Sequence, residues 1–374
     1  MVKGISRRVV VVDAPKHRFF EQAIFIVRND AAGEGITSRE LVEEARRTIA
    51  GALGCQPSAL HFTSCGTESD NWAIRAAAWQ GRHTGRHIIT TAVEHSAVLE
   101  PCRQLEQEGY EVTYLKPDRT GHISTGQVAE ALREDTVLVS VMLVNNETGC
   151  TFPVADIARL LKERGSRALL HCDAVQGFLK VPCAPAGWGV DLMSLSAHKI
   201  GGPKGIGALY VRPDLRNLRP LLAGGGQEEG LRSGTEATAQ IAGFAKAVAL
   251  RQEGLEEKLA HMARIKAYCR ERLLSIPGVV PVGGGEAPHI LAVSLVGYPS
   301  ANVINDLGSQ GICLSAGSAC HRGKASRGYA ALGLDKRTAA GVLRLSFGPE
   351  TTEGDIDALY EALLRHKNTR FSML

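Results

Sequence analysis

The chain has 374 residues, 44% of them hydrophobic and 22% charged, with a formal net charge of +4. That length suits two domains, or one large domain with a smaller one, and the composition is that of an ordinary globular protein. The small charge, without a basic run interleaved with aromatics, argues against direct contact with nucleic acid. No stretch approaches a membrane span and the first residues lack a signal-peptide pattern, so a cytoplasmic protein with no membrane partner is expected.

Residues 1–40 stand apart, with two short apolar runs and a glycine-containing break before a helix expected at 41–53. "FTSCGTESDNWAI" (62–74) reads as a strand end, a small-residue turn and a helix start, with Ser64 or Thr67 able to cap. Further strands are expected at 87–93, 136–144, 168–175 and 191–196. Helical spacing of apolar residues is seen at 97–109 and 154–165, each closed by a glycine. Continuous apolar strands joined by helices predict a mostly parallel sheet covered on both faces, an α/β fold. Beyond a charged helix at about 251–275, "HILAVSLVG", "GICLSAGSAC", "GVLRLSFG" and a final helix from Glu353 to Arg365 read as a smaller α+β unit.

Nine cysteines in such a chain are expected to be reduced thiols, most of them small core residues. No two are spaced C-x-x-C, so no metal site is expected.

Polar residues gather where the apolar strands end. "VEHSAVLE" places His95 at a strand-to-helix junction, where capping or core packing is the ordinary role of a histidine. "LVNNETG" ends a strand with two amides and a carboxylate, and "HCDAVQG" places Asp173 at the end of another. A buried aspartate requires a partner, which a turn or an ion pair can supply. "SAHKIGGPKGIG" (196–207) sets Lys199 just beyond a strand, as either a surface cation or a reactive amine. Ligands of open α/β sheets bind beyond the carboxyl ends of the strands. An amine, a helix N-terminus able to take a phosphate, an aspartate and an aromatic ring together suit pyridoxal 5′-phosphate. Its aldehyde condenses with an amine, and its pyridine nitrogen needs an acid partner.

The motifs "FTSCGTESDN", "VEHSAVL", "VNNETG", "HCDAVQ", "SLSAHKIGGPKGIGALYVR", "GGGQEEGLRSGT" and "SAGSAC" resemble those of the cysteine desulfurases, fold-type-I pyridoxal-phosphate enzymes of the class-V aminotransferase family. The resemblance runs from about residue 41 to 365. It implies a large domain with a mostly parallel seven-stranded sheet (41–250), a small C-terminal domain carrying the cysteine loop (251–374), and an atypical segment at 1–40. It further implies that Lys199 forms the Schiff base, that Asp173 holds the protonated pyridine nitrogen, that Gln176 meets the phenolic oxygen and that His95 stacks on the ring. Gly66, Thr67, Ser196 and His198 match phosphate ligands, and Thr235 matches a phosphate contact made across a homodimer interface. Asn146 and Arg344 match residues that hold the substrate and its carboxylate, while Lys204 matches a lysine outside the chemistry. Cys320, beside His321, Arg322 and Lys324, matches the nucleophile, whose thiolate such cations favour. The implied reaction converts L-cysteine to L-alanine and leaves the sulfur on Cys320 as a persulfide. A sulfur-acceptor protein of iron–sulfur cluster assembly or tRNA thiolation would take it onward. Two alternatives follow from the departure at 1–40 and from the substrate: a catalytically weak cofactor-binding scaffold or regulator, and a selenocysteine lyase.

Overall fold

The computed structural model describes residues 38–215, 217–317, 327–370 and 372, together with the backbone of two antiparallel strands, β1 (Arg8–Asp13) and β2 (Gln22–Val27). Cys320 and its neighbours lie outside the described residues.

A seven-stranded sheet organises residues 60–211. Its strands are β3 (Leu60–Thr63), β4 (His87–Thr91), β5 (Glu111–Leu115), β6 (Thr136–Ser140), β7 (Leu169–Asp173), β8 (Leu192–Ser196) and β9 (Gly207–Val211), in the order β3-β9-β8-β7-β6-β4-β5. Pairings among β8, β7, β6, β4 and β5 are parallel, and β9 runs against both its neighbours. The mostly parallel α/β sheet expected from the continuous apolar runs is therefore present. The carboxyl ends of six of these strands consequently share one edge, with β9 alone reversed.

Helices cover both faces. α1 (Ser38–Leu53) buries Val42, Ala45, Ile49 and Leu53 at helical spacing. α2 (Gly66–Gly81) and α3 (Ser96–Gln107) lie on the other face, where Trp72 is fully buried with Val98, Leu138, Leu192 and Leu209. Small residues let α2 sit close to the sheet: a Cβ on Gly81 would lie 2.5 Å from Cβ of Val137. Replacing Trp72 by alanine would cost about 3–5 kcal/mol on this packing. α4 (Thr125–Ala131) is closed by a capping box between Ser124 and Gln127, and α5 (Val154–Glu163) packs Val154, Ile157, Ala158 and Leu161 against the face that α1 covers. The short α6 (Pro185–Trp188) and the long α7 (Thr238–Gln252) complete this layer.

Beyond α7, Gly254 takes φ 61° and separates it from α8 (Leu255–Leu274), the charged helix expected at about 251–275. A second sheet, β10 (Val279–Pro281), β11 (Ile290–Leu295) and β12 (Val342–Ser346), is antiparallel throughout and packs with α8, α9 (Ser300–Gly308) and α12 (Glu353–Thr369) around its own apolar cluster. α10 (Arg327–Ala331) and α11 (Lys336–Ala340) are single short turns of helix before β12. In the described part of 311–320, Ser315 bridges to Arg344 of β12. Strands β4, β6 and β7 also end two to four residues earlier than their apolar runs. After β6, for example, Asn145 accepts from the N–H groups of Glu147 and Thr148 through its side chain and turns the chain.

Candidate active site

The carboxyl ends of β4, β6, β7 and β8 carry the polar residues singled out in the sequence, and the fold brings most of them together. Lys199 stands in a 3₁₀ turn (Ala197–Ile200) directly after β8 and is exposed there. It lines a cavity of about 570 Å³ with Gln176, His198, His289, Arg251 and Arg344. Ser196 and His198 join through a 2.9 Å hydrogen bond between Oγ and Nδ1. Burial and the charges of Lys199, Lys180 and Lys204 lower the pKa of His198.

Asp173 ends β7 and is 6% exposed. Its carboxylate accepts from the N–H of Val175 at 2.9 Å. Burial raises its pKa, and the charges of His95 and Lys199 pull it back, which puts these three groups within electrostatic reach. Two more buried carboxyl groups lie within its electrostatic reach. Burial and Asp173 push Asp70 well above the ordinary range, and burial pushes Glu94 up to about 8. Of the three, Asp173 is the one whose pKa nearby cations, His95 and Lys199, pull down. His171 supports this floor from within the sheet, bonded to Ser140 and Ser194, with its pKa driven down to about 3 by burial.

His95 caps α3, its Nδ1 accepting from the N–H of Ala97 at 3.2 Å. The ordinary capping role is thus real, and the same half-buried ring lies within range of Asp173. At α2 the expected cap differs. Cys65 and not Ser64 or Thr67 occupies the N-cap, and it supplies no side-chain acceptor. The N–H groups of the first turn, at Gly66 and Thr67, therefore keep their capacity to bind an anion. A Cβ on Gly66 would lie 2.7 Å from Cγ2 of Val175 and 3.4 Å from Cβ of Ser196, so this helix start is held tightly between the ends of β7 and β8.

Asn146 follows β6, and its main-chain carbonyl accepts from Arg344 Nη1 of β12 at 3.0 Å. Thr235 does not line the Lys199 cavity. It lines a smaller one of about 110 Å³ with Ser64, Gly205 and Arg232 beside the start of α2. Three groups at the site were not singled out in the sequence: Glu94 within electrostatic reach of Asp173, and Lys180 and His289 beside Gln176. Glu94 is adjacent to His95, and Lys180 follows Gln176 by four residues, the only local signals available. The pairing of His289 with Gln176 spans 113 positions and has none. Among the described residues no group of three or more His, Cys, Asp or Glu side chains could hold a metal ion, eight cysteines are free, and no helix is long and apolar enough to cross a membrane.

The family model for aminotransferase class-V matches residues 9–359, beginning inside the segment that the motifs set apart. The chain is 43% identical over 335 residues to cysteine desulfurase IscS of Vibrio atlanticus, covering 86% of this chain and 80% of that protein. It is 41% identical over 327 residues to a cysteine desulfurase of Nostoc, covering 86% of this chain and 81% of the relative. Among solved structures, a NifS-like protein superposes with a TM-score of 0.84 at 36% identity, covering 90% of each chain. SspA in complex with cysteine superposes with a TM-score of 0.71 at 34% identity, covering 87% of this chain and 91% of that one. The donor set described above fits pyridoxal 5′-phosphate. It offers an amine at the cavity, a buried carboxyl group in electrostatic contact with it, and a tightly held helix start able to take a phosphate.

Proposed function

Since the chain belongs to the aminotransferase class-V family, whose cofactor here is pyridoxal 5′-phosphate, we propose that it is a cysteine desulfurase converting L-cysteine to L-alanine. The observation that carries this reading is the convergence of Lys199, Gln176, His198 and Arg344 on one cavity, with the buried Asp173 in electrostatic reach of Lys199. Bound there, the cofactor supplies an electrophilic carbon and a protonated ring that accepts the electron pair of the broken Cα–H bond.

In this reading Lys199 is the amine that carries the cofactor and moves the Cα proton. Asp173 holds a negative charge against the ring nitrogen, His95 packs on the ring face and Gln176 donates to the phenolic oxygen. Gly66, Thr67, Ser196 and His198 bind the phosphate, and Thr235 contributes to a phosphate site in a homodimer. Arg344 and Asn146 hold the substrate carboxylate, where a planar guanidinium gives two parallel hydrogen bonds. The Cys320 thiolate then takes the substrate sulfur. An S–S bond forms, the C–S bond breaks, and its electron pair stays on carbon, which is protonated to give alanine. A cytoplasmic sulfur-acceptor protein of iron–sulfur cluster assembly or tRNA thiolation would receive the persulfide. The division near residue 250 into a cofactor-binding and a smaller unit belongs to the same reading, supported by the separate apolar cluster around β10–β12.

Incubating the cofactor-loaded protein with L-cysteine tests it. Alanine should appear together with a 32 Da increase, about one sulfur atom, on the peptide containing Cys320. Cys320→Ser should bind L-cysteine, as seen by a change in the visible spectrum, but give neither product. Alanine formation by Cys320→Ser at the wild-type rate would overturn the assignment.

A further inference from the structure

Lys180 and His289 form a buried corner of the Lys199 cavity, each 5% exposed. Both converge on one atom. Lys180 Nζ lies 3.2 Å from Oε1 of Gln176, and Nε2 of His289 lies 3.4 Å from the same oxygen. Lys180 donates there, and in its charged form it has three donors and no acceptor, so the amide atom it meets is the oxygen. That settles which way the Gln176 amide is turned. With its oxygen held by two donors, its NH2 group is left to face the cavity.

The histidine agrees with this arrangement. Donating through Nε2 leaves Nδ1 as a bare acceptor, and Nδ1 is buried without a hydrogen-bond partner. A neutral ring is required there. Burial, with Lys180, Lys266, Arg251 and Arg344 around it, pushes its pKa down to about 2.

The lysine is costly where it stands. Among the described residues no carboxylate lies within ion-pair distance of it, and burial with Lys199 and Arg251 nearby lowers its pKa to about 7. A methionine would fill the same space without desolvating an amine. The backbone is also strained at this point. Leu179, a buried leucine, takes φ 54°, and the turn it closes returns Lys180 against Gln176, four residues earlier. An amine without a carboxylate partner, and a turn in a disfavoured conformation that presents it, have a common use if the amide must be held in one orientation.

We propose that Lys180 and His289 are positioning residues that fix the Gln176 amide with its NH2 toward the cofactor's phenolic oxygen. The proposal rests on the reading of Gln176 given above, and the test separates the two. In the cofactor-loaded protein, the visible band of the resting enzyme and kcat/KM for L-cysteine are measured for Gln176→Leu, Lys180→Met, Lys180→Arg, His289→Phe and the double variant Gln176→Leu/Lys180→Met. Gln176→Leu should displace the band and lower kcat/KM about tenfold, the effect of one hydrogen bond to a charged group. Lys180→Met should displace the band in the same direction, with a similar loss. Lys180→Arg, which keeps donors, should return the band toward its wild-type position. The double variant should be no worse than Gln176→Leu alone, because both changes remove one interaction. A wild-type band in Lys180→Met beside a displaced one in Gln176→Leu overturns the positioning role, as do fully additive losses. An unmoved band in Gln176→Leu overturns the Gln176 reading itself, and the positioning role with it. Should Lys180→Met fail to give loaded protein, His289→Phe probes the same oxygen and is judged by the same two outcomes.

Discussion

The side chain of Arg344 on β12 donates to the main-chain carbonyl of Asn146 in the turn that follows β6, 3.0 Å away, so one hydrogen bond joins the small antiparallel sheet to the edge where the site lies. The backbone of Arg344 is held as well, exchanging hydrogen bonds with Ser315 in both directions. Its Nε is buried with no partner. The guanidinium is thus oriented by one terminal nitrogen and keeps donors for a carboxylate.

Arg344→Lys should therefore raise KM for L-cysteine about tenfold or more while leaving the visible spectrum of the resting enzyme unchanged, because a lysine cannot reproduce the two-pronged grip. Steady-state kinetics with spectra of the same preparations decide it. A KM within about twofold of wild type would place the carboxylate elsewhere.

Lys199 and Lys204 are five residues apart and both exposed, yet only Lys199 is among the residues lining the cavity. Lys199→Ala should lose the visible band that a lysine-linked cofactor gives, and Lys204→Ala should retain it. A colourless Lys204→Ala protein beside a yellow Lys199→Ala protein would reverse the assignment.

The sheet and the gathering of polar residues at its edge are legible in the sequence because each strand is a continuous apolar run and each polar residue sits at its end. Strand limits are less so. At 141–144 the residues are as apolar as a strand, but Asn145 turns the chain after a single bridge, Val144 to Thr151. The N-cap of α2 is not legible because Ser64, Cys65 and Thr67 are all small, and only the fold decides which of them starts the helix. Contacts made across long stretches of chain carry no periodic signal. Gln176 with His289, and Arg46 with Glu228 across 182 positions, depend on where the sheets and loops come to rest.

Glu94 gives a prediction about pH. Its carboxyl group is held at about 8 in the folded chain against an ordinary 4.5, mainly by burial and also by the charge of Asp173. Between those values the folded chain retains a proton that the unfolded chain has released. The stability this contributes is fully present below pH 4.5 and is lost as pH rises to about 8. Relative to Glu94→Gln, which cannot titrate, the wild type should lose a few kcal/mol across that window. The buried His61, His171 and His289, with pKa values lowered to about 4, about 3 and about 2, destabilise the fold as pH falls below 6.5, but they are common to both proteins and cancel in the difference. Urea unfolding of the two at several pH values measures it. A difference that does not change with pH would show that Glu94 is ionised in the folded chain.

Glu228 anchors the segment that carries Thr235. Its two oxygens accept from Arg46 at 2.8 and 2.9 Å, and one also accepts from the N–H of Phe62 at 2.9 Å. Arg46 is held in turn by the carbonyl of Leu60, so the pair ties α1, β3 and the 227–230 turn together. Glu228 and Glu229 take φ 49° and 59°, a conformation that side chains other than glycine seldom adopt and that the buried ion pair offsets. Four residues beyond Glu228, Arg232 binds Glu68 at 2.8 Å, and Glu68 accepts from the N–H of Ser64 at the start of α2. Both anchors thus fix the segment against the helix start proposed to bind phosphate. Removing one partner of the buried pair leaves the other charge uncompensated. Glu228→Ala and Arg46→Ala should each cost about 3–5 kcal/mol of stability. The double variant should cost clearly less than the two together, since it leaves no lone charge behind. Glu68→Gln, at the more exposed anchor, should change stability little and weaken cofactor retention instead, measured by dialysis of the loaded protein and the cofactor that remains. Retention equal to wild type in Glu68→Gln would mean that the Arg232 anchor plays no part in holding the phosphate.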